Sequence, residues 1–142
     1  MKFLVINGPN LNLLGIREPD IYGTETLEDI EYWLDEQPDA IGHEIVWFQS
    51  NHEGDLIDQF HDSIGKFEGI IFNPGAFTHY SYALRDAVAS IPVPTIEIHL
   101  SNINQREGFR KTSVIKDKCI GQISGLGKQG YLEALKSLIH YI

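Results

Sequence analysis

The sequence predicts an α/β protein, a doubly wound parallel sheet of five strands with helices on both faces. Three observations carry this. Five short apolar segments alternate with four stretches whose apolar residues recur at helical spacing. The strand segments are apolar enough to be covered on both sides, as parallel strands are. The chain has 142 residues, 42% hydrophobic and 22% charged, enough for one core, with no internal repeat, linker or low-complexity tract. Residues 1–142 therefore read as a single domain.

The elements follow in order. Lys2–Ile6 is a buried strand, and Asn7–Gly23, with its Gly and Pro punctuation, is a loop. Thr26 to Gln37 is a helix with Leu27, Ile30 and Leu34 on one face; Thr26 and Asp29 form a capping box in which Thr26 holds the Asp29 amide. Glu44–Gln49 is the second strand. Leu56, Ile57, Phe60 and Ile64 mark the second helix, which Asn51 or His52 is placed to cap. Gly69–Phe72 is the third strand, and Tyr80–Ser90 the third helix, with Leu84, Ala87 and Val88 inward. Pro92 and Pro94 hold the chain extended into a fourth strand, Thr95–His99. A polar loop with a turn of helix spans Ser101–Lys116. Cys119–Ile123 is the fifth strand, its cysteine a small core residue. Gln129–Tyr141 is the last helix, with Leu132, Leu135, Leu138 and Ile139 on one side. This alternation suggests a flavodoxin-like sheet, in which ligands bind beyond the carboxyl ends of the strands.

Composition narrows the function. No apolar run is long enough to span a membrane, and the apolar start after Met1-Lys2-Phe3 is too short for a signal peptide; the expectation is a cytoplasmic protein. A single cysteine excludes a disulfide framework and a cysteine-based zinc site. The net charge of −9 argues against nucleic acid, whose binding needs a basic footprint. The charge is uneven, however. Acidic residues crowd into 18–68, where Lys66 is the only base, and bases outnumber acids elsewhere.

The strand ends collect the chemistry. Asn7, Asn10, Asn12, Arg17 and Tyr22 follow the first strand, and Ser50, Asn51 and His52 the second. Asn73 and His79 follow the third; Glu97, His99 and Ser101 close the fourth, with Arg106 and Arg110 beyond. Amides, histidines, a hydroxyl and arginines on one edge suit a small, oxygen-rich, anionic ligand. Each also has a plain structural reading: turn residues, a Glu97–His99 pair on one strand face, a solvated face for Arg106 and Arg110. Gly125–Gly130 matches G-x-G-x-x-G but lacks the strand and acid that a dinucleotide site needs, so it reads as a tight turn. It is the one support for an alternative, a non-catalytic flavodoxin-like module that binds a nucleotide or flavin. A His79–Glu97–His99 metal triad is a further option.

Several motifs occur in one collinear order along nearly the whole chain. They are Asn7-Gly-Pro-Asn-Leu-Asn-Leu-Leu-Gly15, Arg17-Glu-Pro, Ile21-Tyr-Gly23, Gln49-Ser-Asn-His-Glu-Gly54 and Asn73-Pro-Gly-Ala-Phe-Thr-His79. Ala83-Leu-Arg-Asp86, Glu97-Ile-His-Leu-Ser-Asn102, Arg106 and Phe109-Arg110 continue the series, and Gly125-Leu-Gly with Gln129-Gly-Tyr131 closes it. Together they resemble type II 3-dehydroquinate dehydratase. The resemblance implies trans-dehydration of 3-dehydroquinate to 3-dehydroshikimate through an enolate, without metal or organic cofactor, in aromatic amino acid biosynthesis (the shikimate pathway) or in quinate breakdown. It implies Tyr22 as the base beside Arg17, His99 as the acid oriented by Glu97, and Asn10 as the holder of a water at the enolate. Asn73, His79, Leu100, Ser101 and Arg110 would bind substrate. Asp86 would reach a neighbouring subunit's site in a dodecamer, a tetramer of trimers.

The physical chemistry fits those roles. A free tyrosine, with pKa ≈ 10, is about 0.1% ionised at pH 7. Lowering that pKa by two units takes ~2.7 kcal/mol. One arginine at ~4 Å, at an effective dielectric of 20, supplies up to ~4 kcal/mol before desolvation is subtracted. Arg17 stands five residues from Tyr22 and keeps its charge in either state of the phenol. A histidine suits the acid role because its ordinary pKa of ≈ 6.5 is near neutrality.

Overall fold

The computed structural model describes every residue except Arg17, and Ile21 and Tyr22 by their backbone alone. Five strands, β1 (Lys2–Asn7), β2 (Glu44–Gln49), β3 (Gly69–Asn73), β4 (Thr95–His99) and β5 (Gly121–Ser124), form one sheet in the order β2-β1-β3-β4-β5. All its pairings are parallel. This is the flavodoxin-like order, with its topological switch between β1 and β3. The helices are α1 (Pro19–Tyr22), α2 (Leu27–Asp35), α3 (Glu53–Asp62), α4 (Tyr82–Ala89) and α5 (Gln129–Tyr141).

Alternation along the strands divides the core. Phe3, Val5, Ile71, Ile96 and Ile98 face one side, where Ile30 and Leu34 of α2 and Tyr131, Ala134, Leu135 and Leu138 of α5 cover them. Leu4, Ile6, Ile70 and Phe72 face the other, under Leu56 and Phe60 of α3 and Leu84, Ala87 and Val88 of α4. Leu132 and Ile139 pack against the first cluster, as their spacing predicts. Glu97 and His99 alternate with Ile96 and Ile98 on β4 and so point to the α3–α4 side. Among the described residues, no helix is long and apolar enough to cross a membrane.

The capping box at α2 forms as the sequence predicts: Thr26 Oγ1 accepts the Asp29 N–H at 3.1 Å, and Asp29 Oδ2 accepts the Thr26 N–H at 3.0 Å. The expected cap on α3 does not form. His52 occupies the N-cap position without a side-chain bond, and Asn51 Oδ1 is taken by the Asn10 N–H at 2.9 Å. Ser50 Oγ instead accepts the His52 N–H at 3.0 Å and donates to Asp55 Oδ2 at 2.8 Å. Ile64 lies beyond the end of α3 and is 50% exposed, because the chain turns at Gly65 (φ 77°).

Cys119 is not on β5. It closes the 3₁₀ turn Lys116–Lys118, with its N–H on the Lys116 carbonyl at 3.1 Å. Its side chain does pack against the α3–α4 core. Burial, with the nearby Glu97 charge, pushes its thiol up to about 12. β1 and β3 each run one residue further than predicted, because Asn7 and Asn73 stay in register with each other. The loop of residues 101–116 carries 3₁₀ turns at Ile103–Gln105 and Gly108–Lys111.

Two turns interlock at the carboxyl edge. The Gly8 N–H donates to the Asn73 carbonyl at 2.8 Å. A Cβ on Gly8 would lie 2.5 Å from the Pro74 carbonyl oxygen, and one on Gly75 (φ 59°) 3.1 Å from that of Pro9. Beneath them the buried Tyr131 hydroxyl donates to Asn7 Oδ1 at 2.5 Å and accepts from Asn73 Nδ2 at 3.4 Å. Gly8→Ala forces backbone against backbone. It is expected to destabilise the protein by about 2 kcal/mol, seen as a lower urea midpoint at unchanged m-value.

Candidate active site

A small cleft opens at the carboxyl edge, astride the switch point. The turn after β1 contributes Pro9, Asn10 and Leu11; β3 and its following turn contribute Asn73, Gly75, Ala76 and His79. The end of β4 and the loop beyond contribute His99, Leu100, Ser101, Ile103, Arg106 and Arg110. Seven of the eleven residues to which the resemblance gives roles thus meet in one place, with Arg106 beside them. Glu97 lies just behind, fully buried.

The supports of the cleft are local. Asn10 takes a left-handed conformation (φ 69°), held by its N–H bond to Asn51. Gln49 Nε2, at the end of β2, donates to the Gly8 carbonyl and to Asn51 Oδ1, both at 3.1 Å. Asn73 Oδ1 accepts the Gly75 N–H at 3.3 Å. Arg106 Nη1 donates to Ser101 Oγ at 3.3 Å. Arg110 Nε donates to Glu107 Oε1 at 2.7 Å, and its guanidinium sits 4.8 Å from the Phe109 ring centre. His79 Nδ1 donates to the Thr112 carbonyl at 2.6 Å. Burial lowers the His79 pKa, and the His99 and Arg110 charges add to that against the opposing pull of the Thr112 carbonyl.

Glu97 is bonded to His99 Nε2 and to three other side chains. Thr78 Oγ1 donates to its Oε2 at 2.7 Å, Gln122 Nε2 to Oε2 at 3.0 Å and Ser113 Oγ to Oε1 at 2.8 Å. Burial pushes the Glu97 carboxyl up, but the His99 bond and charge, with Thr78 and Gln122, outweigh it and set the carboxyl below its ordinary value. Among the described residues, His99 Nδ1 has no hydrogen-bond partner, and the ring lines the cleft.

The other sequence candidates fall elsewhere. Asp86 is exposed on α4 and does not line the cleft. Tyr22 ends α1 by its backbone; its side chain and all of Arg17 lie outside the described residues. Among the described residues, no group of three His, Cys, Asp or Glu side chains is arranged to hold a metal ion. In the Gly-rich turn, the Gly125 and Gly127 amides donate to the His99 and Leu100 carbonyls at 3.2 and 3.0 Å. They are committed to the chain rather than turned toward a phosphate. Thr78, Ser113 and Gln122 carry no local sequence signal, since they reach Glu97 from segments 16 to 25 residues away.

The fold and cleft define a flavodoxin-like α/β protein with a cleft at the switch point, lined by cations and amides. A family model described as dehydroquinase class II matches residues 1–139. A protein named 3-dehydroquinate dehydratase from Bacillus licheniformis is 58% identical over 93% of this chain and 91% of its own length. The crystal structure of a type II dehydroquinase from Butyrivibrio crossotus superposes with a TM-score of 0.94 at 50% identity, covering 98% of this chain and 97% of that one. One from Propionibacterium acnes gives 0.93 at 40% identity, over 98% and 96%. The chain belongs to the class II dehydroquinase family.

The His79 shift sets a pH dependence. Its folded pKa lies below the ordinary 6.5, so the unfolded chain takes up this proton first as pH falls. Stability is therefore lost as pH drops through 6.5 toward the folded value. Thermal denaturation between about pH 7.5 and 5.5 is expected to show a falling Tm, with a shallower fall in His79→Gln.

Proposed function

We propose that the chain is a 3-dehydroquinate dehydratase that converts 3-dehydroquinate to 3-dehydroshikimate and water. The observation that carries this is the single cleft that gathers Asn10, Asn73, His79, His99, Ser101, Arg106 and Arg110 in a member of the dehydroquinase class II family. A small carboxylate with several hydroxyls matches that lining. The arginines and the Ser101 hydroxyl suit the carboxylate, and Asn73, His79 and the Leu100 segment suit hydroxyl groups.

The reaction is a proton removal followed by loss of hydroxide as water. Tyr22, as phenolate beside Arg17, takes the proton from the carbon next to the ketone, and the electron pair passes to the ketone oxygen as an enolate. Asn10 holds a water against that oxygen. The enolate collapses to the conjugated enone while His99 gives its proton to the departing hydroxyl. Glu97 holds the ring and stabilises its charged form. No step draws on a metal or organic cofactor.

The whole chain acts as one catalytic domain in the cytoplasm. Asp86, exposed on α4, faces outward as a residue serving a neighbouring subunit's cleft would, in a dodecamer built as a tetramer of trimers.

The test is the near-ultraviolet absorbance of the enone formed from 3-dehydroquinate. Tyr22→Phe and His99→Ala are each expected to lower kcat by at least about a hundredfold, the lower end for a lost acid or base. Near wild-type turnover in Tyr22→Phe would remove the base assignment.

A further inference from the structure

The dehydration gives work to His99 and Glu97 but none to the three other side chains around Glu97. The proton of each hydroxyl around that carboxylate can be placed. Ser113 Oγ accepts two backbone N–H groups, from Ile115 at 3.2 Å and from Lys116 at 3.1 Å. A hydroxyl has two lone pairs and one proton, so the Ser113 proton is left for Glu97 Oε1 at 2.8 Å. Thr78 Oγ1 lies 2.8 Å from Ser113 Oγ but finds no lone pair there, and its proton goes to Glu97 Oε2 at 2.7 Å. Gln122 and His99 Nε2 supply the remaining two donors. Oε2 thus takes three donors, from Thr78, Gln122 and His99, and Oε1 takes one, from Ser113, out of the roughly four acceptor sites of a carboxylate. A proton placed on Oε2 would meet three donors, and each of the four bonds favours the ionised form.

Two consequences follow from this shell. Glu97 stays ionised at a fully buried position, where an unassisted carboxylate would take up a proton. His99 Nε2 is committed as a donor, which leaves Nδ1 as the ring nitrogen that can exchange a proton. The surrounding charged and titratable groups come from several elements. His79 precedes α4, Arg85 lies on α4, Arg106 and Arg110 lie on the loop after β4, and Cys119 precedes β5. Arg85 is turned to the Val114 carbonyl at 2.7 Å and to Asp117 at 3.7 Å, Arg106 to Ser101, and Arg110 to Glu107. His99 is the titratable group bonded to Glu97.

We propose that Thr78, Ser113 and Gln122 are positioning residues for the dehydration, which complete the shell of Glu97 and so fix the tautomer and orientation of His99 with Nδ1 toward substrate. The proposal rests on the functional reading above. It extends the working unit from a Glu–His pair to a five-residue cluster drawn from β4, β5, the turn before α4 and the loop before β5.

The test compares Thr78→Val, Ser113→Ala and Gln122→Met with wild type across pH, in kcat and KM, with Thr78→Ser as the conservative control. Urea denaturation confirms that each variant is folded. Each deletion is expected to lower kcat about tenfold, the value of one hydrogen bond to a charged group, with KM within about twofold. The acidic limb of the kcat profile moves up in pH, because Glu97 takes up a proton more readily, and Thr78→Ser restores the wild-type profile. Carbon-13 NMR of the glutamate carboxyls reads the same shift without turnover, Glu97 titrating higher in the variants. Folded deletion variants with wild-type kcat, profile and Glu97 titration would overturn the positioning role alone. A wild-type chain that forms no enone would overturn the functional reading and this role with it.

Discussion

The site depends on one buried negative charge. Glu97 sits with no solvent exposure on an interior strand, and the bonds it receives from described residues come from Thr78, His99, Ser113 and Gln122. Its charge survives because four donors converge on it, and one of them is His99. Such a carboxylate is costly to bury and costly to leave unpaired. The segments that supply its donors are therefore tied together: the turn before α4, the loop before β5, and β5 itself. The same bonds that make the charge tolerable orient the histidine that lines the cleft.

The rest of the cleft is built by backbone approach rather than by charge. The turns after β1 and β3 interlock through Gly8 and Gly75, each set against the other turn's proline carbonyl. The buried Tyr131 hydroxyl pins Asn7 and Asn73 from below. Because neighbouring parallel strands end side by side, these short contacts place Asn10, Asn73 and His99 on one rim. The net charge of −9 says little about that rim. The acidic residues concentrate on α2, α3 and their flanks, while the cleft presents Arg106 and Arg110, and a pocket's own charges outweigh distant ones beyond a Debye length of ~8 Å.

The strands and helices were legible in the sequence because each is a local pattern. The β2 and β4 limits, the Thr26 cap and the inward faces of α4 and α5 appear as the periodicity places them. The pairing of Glu97 with His99 was legible for the same reason, two residues on one face of a strand. The failures have nonlocal causes. Asn51 does not cap α3 because Asn10, 41 residues away, takes its oxygen. Ile64 does not pack because Gly65 turns the chain first. Thr78 falls within a motif of the family resemblance but without a role, and Ser113 and Gln122 stand outside every motif, since the importance of all three comes from converging on one carboxylate from distant segments. Tyr22 and Arg17 stand out by their place after the first strand, and only their roles come from the family resemblance.

The central claim is that an ionised Glu97 fixes one tautomer of His99. Nitrogen-15 NMR of the His99 ring in the unliganded protein, read on the neutral form at the alkaline end of a pH titration, tests it most directly. The account predicts a proton on Nε2 and a bare Nδ1, with no second tautomer. A proton on Nδ1, or an even mixture of the two forms, would contradict it.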